Sequence, residues 1–208
     1  MQANRTYVYI DGFNLFYGKL KGTNLKWLDL SKLCSVLLPK NNIQIIKYYT
    51  AKVKPKLNNP HILDRQQDYL RALETIPNLE IYYGHFLSNE VNMMKADGSG
   101  KVKVIKSEEK GTDVNIASHM LLDGFKNKYD IGVLISNDSD LLEPIRIIRN
   151  EFKKKIGYIN PQKNTSQVLK NNSDFMKSIR DTSIRQSQFP NEVLNSSGNK
   201  ILKPNDWF

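Results

Sequence analysis

Apolar positions recur along this chain in two periods. Short runs rich in β-branched and aromatic residues, bounded by turn formers, predict strands at Thr6–Ile10, Gln44–Val53, Leu79–Phe86, Ile131–Ser136 and Lys155–Ile159. Between them, apolar residues fall at helical spacing. Leu30, Leu33, Leu37 and Leu38 make one stripe, opened by Asp29 or Ser31 and closed by Pro39. Leu63, Leu70, Leu73 and Ile76 make a second, ending at Pro77; Val114, Ala117, Leu121 and Phe125 make a third. Leu141, Ile145, Ile148 and Phe152 make a fourth, and Pro144 falls in its first turn, where an amide has no intrahelical partner to lose. Strands alternating with helices of this length need crossover connections, hence an α/β fold with a central, mainly parallel sheet and helices on both faces. The nearly unbroken apolar run Ile131–Ile135 suits a strand covered on both sides.

Two regions depart from that rhythm. Ser88–Lys110 is polar and carries Asp97-Gly98 between extended segments, which predicts a hairpin projecting from the domain. Its lysines at Lys101, Lys103 and Lys106 are expected along one face. Thr182–Phe208 is rich in serine, asparagine and glutamine and is expected to wrap loosely or stay disordered, with Trp207-Phe208 as its docking residues. The domain is therefore placed at 1–181 and a polar tail at 182–208.

Composition narrows the chemistry. Lysine and arginine exceed aspartate and glutamate by 31 to 21, a formal charge of +10, which favours an anionic partner such as nucleic acid. Cys34 is the only cysteine and the histidines are His61, His85 and His119, so thiolate metal clusters and redox pairs are excluded and any metal must be held by oxygen. The apolar run before Asp11 is too short for a leader core or a membrane span. A cytoplasmic protein without a membrane partner is the expectation.

The acids fall in a pattern. Asp11 follows the first strand, Asp138 and Asp140 follow Ile131–Ser136, and Asp113 opens a helix. In an open parallel sheet, the carboxyl ends of strands and the amino ends of the following helices share one rim. Each aspartate taken alone reads as a helix cap or turn residue. Together they make a cluster whose repulsion a hard cation would relieve, and an all-oxygen set favours Mg2+ or Mn2+. With a basic chain, such a site points to a metal-dependent phosphodiesterase acting on a polynucleotide. Asn14 returns to the same rim to orient Asp11 or a phosphate. Asp123 is expected to be solvated or to support the site from outside it, and Asp64 and Asp68, with Arg65 and Arg71, to face solvent.

The segments Tyr9-Ile-Asp-Gly-Phe-Asn-Leu15, Lys110-Gly-Thr-Asp-Val114 and Ile135-Ser-Asn-Asp-Ser-Asp-Leu-Leu-Glu-Pro144, in this order, resemble the NYN domain in its LabA-like bacterial branch. That family is a relative of the PIN-domain and FLAP-type nucleases. The resemblance runs from about Tyr7 to Ile179, with Asn164–Leu169 and Ser173–Phe175 similar to its closing segment. It implies a PIN-like three-layer α/β/α sandwich and Mg2+- or Mn2+-dependent endonucleolytic cleavage of RNA to 5′-phosphate and 3′-hydroxyl ends. By position, Asp11, Asn14, Asp113, Asp138 and Asp140 match the catalytic set, with Asp11, Asp113 and Asp138 as metal ligands. Two positions depart: Asn137 stands for the usual glycine and Leu141 for phenylalanine. Asn137 tolerates unusual backbone geometry and Leu141 keeps the apolar anchor.

Around the site, Lys101, Lys103, Lys106 and Lys110, with Lys153–Lys155, are candidates to steer an RNA strand, single-stranded or structured. Tyr48-Tyr49 and Tyr82-Tyr83 are candidate base-stacking pairs, read first as half core and half surface. Two readings compete with the nuclease. One is a non-catalytic RNA-binding or regulatory module keeping a structural metal. The other is a small-molecule phosphatase, disfavoured because no Asp-x-Asp-x-Thr follows the first strand. Any oligomer is expected to be a symmetric homodimer.

Overall fold

The computed structural model describes residues 4–53, 55 and 59–207. Its strands are β1 (Arg5–Asp11), β2 (Asn42–Thr50), β3 (Leu79–Tyr83), β4 (His85–Met94), β5 (Lys101–Lys110), β6 (Ile131–Ile135), β7 (Lys155–Asn160), β8 (Phe175–Ser178), β9 (Glu192–Leu194) and β10 (Lys200–Leu202). The helices are α1 (Gly12–Leu15), continued as a π-turn over Phe16–Leu20, α2 (Leu30–Leu37), α3 (Ile62–Leu73), α4 (Thr112–Phe125), α5 (Leu142–Asn150), α6 (Gln167–Asn171) and α7 (Asp181–Gln186). Six strands form one sheet in the order β3-β2-β1-β6-β7-β8, parallel throughout.

Alternate residues of each central strand enter opposite cores, as a period of two requires. Val8, Ile10, Ile46, Val133 and Ile135 pack with α2, α3 and α7; Tyr9, Tyr49, Leu134 and Tyr158 pack with α4, α5 and α6. This is the expected three-layer sandwich. Tyr48 and Tyr49 are both buried, one in each core, so they do not form an exposed stacking pair. The segment expected as a single strand, Leu79–Phe86, divides at Gly84 into β3 and the start of the hairpin. A Cβ at Gly84 would lie 2.6 Å from the Lys110 carbonyl oxygen, so the two hairpin ends cross there only because glycine has none.

The hairpin begins at His85, earlier than expected. Lys103 stands opposite Asn92 and Lys106 opposite Asn89, so their parity differs and they point to opposite faces. Residues 182–207 are ordered against the domain: Ile184, Phe189, Ile201 and Trp207 join the core, and the Trp27 indole donates to the Pro190 carbonyl. Trp207 docks against Trp27 and Tyr69 with centroids 6.3 and 6.1 Å away, while Phe208 lies outside the described residues. Among the described residues, no helix is long and apolar enough to cross a membrane.

Candidate active site

The strand order reverses between β1 and β6, because the chain builds outward from β1 to β3 and then returns to its other side. A crevice opens at the carboxyl ends of two such strands, where their connections leave in opposite directions. Asp11 is the last residue of β1, and Ser136 to Asp138 follow β6, paired beside it through Ile10 and Ile135. The rim inferred from the acid pattern is thus this switch point.

Asp11 is 2% exposed and caps α1. Its Oδ1 accepts from the Asn14 backbone N–H at 2.9 Å, and its Oδ2 accepts from Asn14 Nδ2 at 2.6 Å and Ser136 Oγ at 2.9 Å. Burial pushes its carboxyl above the ordinary value, the Asn14 and Ser136 hydrogen bonds pull against that, and the Asp138 charge adds to the rise. Gly12 permits this turn: a Cβ there would meet the Tyr49 carbonyl oxygen at 2.6 Å. Asn14 does what its spacing implied, and it also accepts from the Asn137 backbone N–H at 3.2 Å.

Asp138 opens a short 3-10 turn over Ser139–Leu141, accepting from the Asp140 N–H at 3.0 Å. Its own N–H donates to Ser136 Oγ at 3.1 Å, so one hydroxyl ties Asp138 to Asp11. Asp140 is exposed at the mouth. Asp113 lies in the first turn of α4, set up by Gly111 at φ 96°, a left-handed conformation that suits glycine. Burial, then the charges of Asp11, Asp138, Glu109 and Asp140, push the Asp113 carboxyl up to about 6. Carboxylates from three parts of the chain are therefore near enough to raise one another's protonation.

Among the described residues, no group of three or more His, Cys, Asp and Glu side chains is close enough together to hold one metal ion. The donor set still fits a hard cation. The acids repel one another across the rim, and Mg2+ usually keeps several waters and takes only one or two protein carboxylates.

Sequence reasoning missed several supporting groups. Ser136 had no signal beyond its place two residues before Asp138. Gln162 donates to the Asn14 carbonyl at 2.9 Å from the loop after β7, with no motif to announce it. Glu109 accepts from Thr112 N–H at 3.1 Å and Thr112 Oγ1 at 2.6 Å, capping α4 beside Asp113. Asn137 serves by its side chain: its Oδ1 accepts from Tyr158 O–H at 2.5 Å and the Ser166 N–H at 2.8 Å. It is absent from the positive-φ residues, so the turn needs no glycine here.

The hairpin lysines are largely spoken for. Lys103 pairs with Glu90, and Lys106 and Lys110 with Glu108, the last at 3.2 Å; Lys101 stays exposed near the hairpin tip. Asp123 is buried rather than solvated, at the far end of α4 from Asp113, and contributes nothing to the rim directly. Asp64 faces solvent as expected, but Arg65 turns inward to Asp206 at 2.5 Å.

The raised Asp113 carboxyl has a measurable consequence. Its folded value lies above its unfolded one, so the folded protein binds the extra proton. Stability is then full below about 4 and falls as pH rises through about 6. A fully shielded shift of this size corresponds to roughly 3 kcal/mol, which screening at a half-open side chain reduces to ~1 kcal/mol. Asp113→Asn is expected to raise the unfolding midpoint in chelator at pH 7.5 and to flatten that decline, and Mg2+ to narrow the gap. A variant less stable than the wild type at pH 7.5 would contradict the repulsion.

The NYN domain family model matches residues 5–180. The 6-hydroxy-3-succinoylpyridine 3-monooxygenase HspA of Pseudomonas putida is 28% identical over 240 residues, spanning 98% of this chain and 75% of that protein. A solved protein of unknown function from Vibrio parahaemolyticus has the same fold, with TM-score 0.58 and 18% identity over 91% of this chain and 100% of that one.

Proposed function

This chain belongs to the NYN domain family, within the PIN-like nuclease superfamily, and from that premise we propose that it is a Mg2+- or Mn2+-dependent endoribonuclease of the LabA-like branch. The observation that supports this reading is the position of Asp11 and Asp138 at the carboxyl ends of β1 and β6, where the strand order reverses, with Asp113 in the first turn of α4 near enough to feel both charges. A cation there would be held by these three residues, directly or through its waters, and would supply charge neutralisation at a phosphate and an acidified water. The chain's own groups do the positioning. Asn14 and Ser136 fix the Asp11 carboxylate, Ser136 fixes the loop carrying Asp138, and Glu109 seats the turn that presents Asp113. Asp140, exposed at the mouth, would stand beside the entering water. Attack on phosphorus in line breaks the bond to the 3′ oxygen and leaves 5′-phosphate and 3′-hydroxyl ends. The formal charge of +10 favours a polyanionic substrate, and Lys95 and Lys101 at the hairpin tip, without ion pairs among the described residues, would steer it. A cytoplasmic location belongs to the same reading.

The test is incubation of labelled single-stranded RNA and matching DNA with Mg2+ or Mn2+, beside Asp138→Asn. Metal-dependent RNA cleavage lost in the variant is expected. RNA binding without cleavage, equal in both proteins, would favour a regulatory module. A second reading comes from the Pseudomonas putida relative, named for monooxygenation of 6-hydroxy-3-succinoylpyridine. Its 28% identity over 98% of this chain favours one assay with that compound, O2 and a two-electron reductant. Consumption of the compound with no RNA cleavage would transfer the assignment.

A further inference from the structure

A cavity of about 640 Å³ lies between the base of the β4–β5 hairpin, the α1 turn and α3. Its walls are largely aromatic, with Phe13, Phe16, Tyr48, Tyr69, Phe86 and Trp207 contributing rings. Phe13 and Phe86 meet edge to face at 5.8 Å, joining α1 to the hairpin. The cavity adjoins the acidic rim through the backbone: Gly12, in its lining, follows Asp11, and Phe13 precedes Asn14.

Most polar groups in the lining are already engaged. Tyr69 O–H donates to the Leu28 carbonyl at 2.9 Å, Gln66 bonds to Val53 N–H and the Ala51 carbonyl, and Ser88 and Ser107 bond each other at 3.0 Å. Arg65 holds Asp206. Of the two cations in the lining, Lys26 is the one without such a bond. Its ammonium stands 5.9 Å from the Trp207 ring centroid, and among the described residues it makes no hydrogen bond or ion pair. Burial and the neighbouring Arg65 disfavour its charge, Asp206 favours it, and burial prevails, so a further anion at the ammonium would be favourable. Ring faces plus one uncommitted cation select a flat aromatic ring carrying an anionic group. The volume lies in the range of ordinary small-ligand pockets and exceeds what a single ring fills.

We propose that this cavity binds one nucleotide of a single-stranded RNA whose backbone passes the acidic rim, with the base between the aromatic walls and a phosphate at Lys26. The ring-and-anion chemistry stands on the cavity itself; the choice of nucleotide rests on the nuclease reading above. A base can enter only unpaired and unstacked, so the site makes the enzyme selective for single strands.

The experiment uses the full chain carrying Asp138→Asn, with Mg2+, so that cleavage does not interfere. The probes are uridine monophosphate, a short labelled oligouridylate, the same oligomer with one abasic position, and pyridine-3-carboxylate. The protein has two tryptophans, of which Trp207 lines the cavity and Trp27 does not, so the part of the emission change that depends on Trp207 reports the cavity. Uridine monophosphate is expected to quench that emission, and Trp207→Phe to remove the signal. Lys26→Glu is expected to weaken the mononucleotide about tenfold, with Lys26→Gln intermediate, and an abasic position scanned along the oligomer to weaken it at least about fivefold at one place. Oligomer affinity indifferent to every abasic position and to Lys26 overturns the proposal, as does tighter quenching by pyridine-3-carboxylate than by the nucleotide. If the wild-type chain cleaves nothing while these binding differences hold, the nuclease reading falls and the nucleotide site stands.

Discussion

Asp11→Asn is expected to slow RNA cleavage by about 1000-fold or more and, in contrast to Asp113→Asn, to lower the stability of the chelated protein. The two substitutions remove the same charge from the same rim, but the carboxylates they replace are held differently. Asp11 is fixed on both oxygens, by the Asn14 N–H and Nδ2 and by Ser136 Oγ. An asparagine there keeps one acceptor, and its amide then confronts the Asn14 Nδ2 donor 2.6 Å away. Leaving buried donors unmatched costs about 1–3 kcal/mol, more than relief from the Asp138 charge returns. Asp113 gains from its neighbours only repulsion, since burial and four acids drive its carboxyl up. Single-turnover cleavage with urea unfolding in chelator reads both quantities on each variant. Activity within tenfold of the wild type in Asp11→Asn would remove the chemistry from this rim, and a gain in stability would show that Asp11 is not anchored as described.

The part of this site legible in the sequence is the part tied to strand ends. Asp11 and Asp138 each follow an apolar run, and a parallel sheet sends such residues to one edge whatever its strand order. Nothing in a single run reveals which strands are neighbours, so the reversal between β1 and β6, which makes that edge a crevice, had to come from the structure. Ser136 and Gln162 were illegible for a related reason: each acts through a partner far along the chain, Asp11 for one and Asn14 for the other. The helical turn after Asp11 escaped because it is short, begins at a glycine and passes into a π-turn, leaving no amphipathic period to count. β8 spans four residues after a short helix, and its Phe175 lies over Gly157, where a Cβ would meet the ring at 2.2 Å. The tail misled by composition: serine and asparagine fill its turns, while isolated apolar residues such as Phe189, Ile201 and Trp207 do the anchoring. The hairpin lysines show a simpler failure, since a step of three along a strand changes face.

Asp123→Ala is expected to cause the largest loss of stability, about 3–5 kcal/mol, equivalent to a fall of roughly 6–20 °C in Tm for a chain of this size. Asp123 is 1% exposed, and its carboxylate gathers three donors from across the fold. Lys47 Nζ on β2 lies at 2.6 Å, Tyr9 O–H on β1 at 3.0 Å and Lys128 Nζ at 3.2 Å. Burial alone would raise this carboxyl, but the lysines and the tyrosine outweigh it and hold it below the ordinary value. Removing the acid strands the Lys47 ammonium, 5% exposed, with Glu80 at 3.9 Å and the Tyr82 ring centroid at 5.5 Å as weak substitutes among the described residues. The reverse substitution is expected to cost less. In Lys47→Met, Asp123 keeps Tyr9 and Lys128, and the half-exposed Lys128 side chain can close on the vacated oxygen. Replacing both residues with apolar ones, as in Lys47→Met with Asp123→Leu, is expected to recover much of the loss, because a buried pair often contributes little net stability over a well-packed apolar pair. Thermal unfolding of the three variants checks the order. Equal losses below about 1 kcal/mol would mean that water reaches this cluster and that the sheet and α4 are joined here by packing alone.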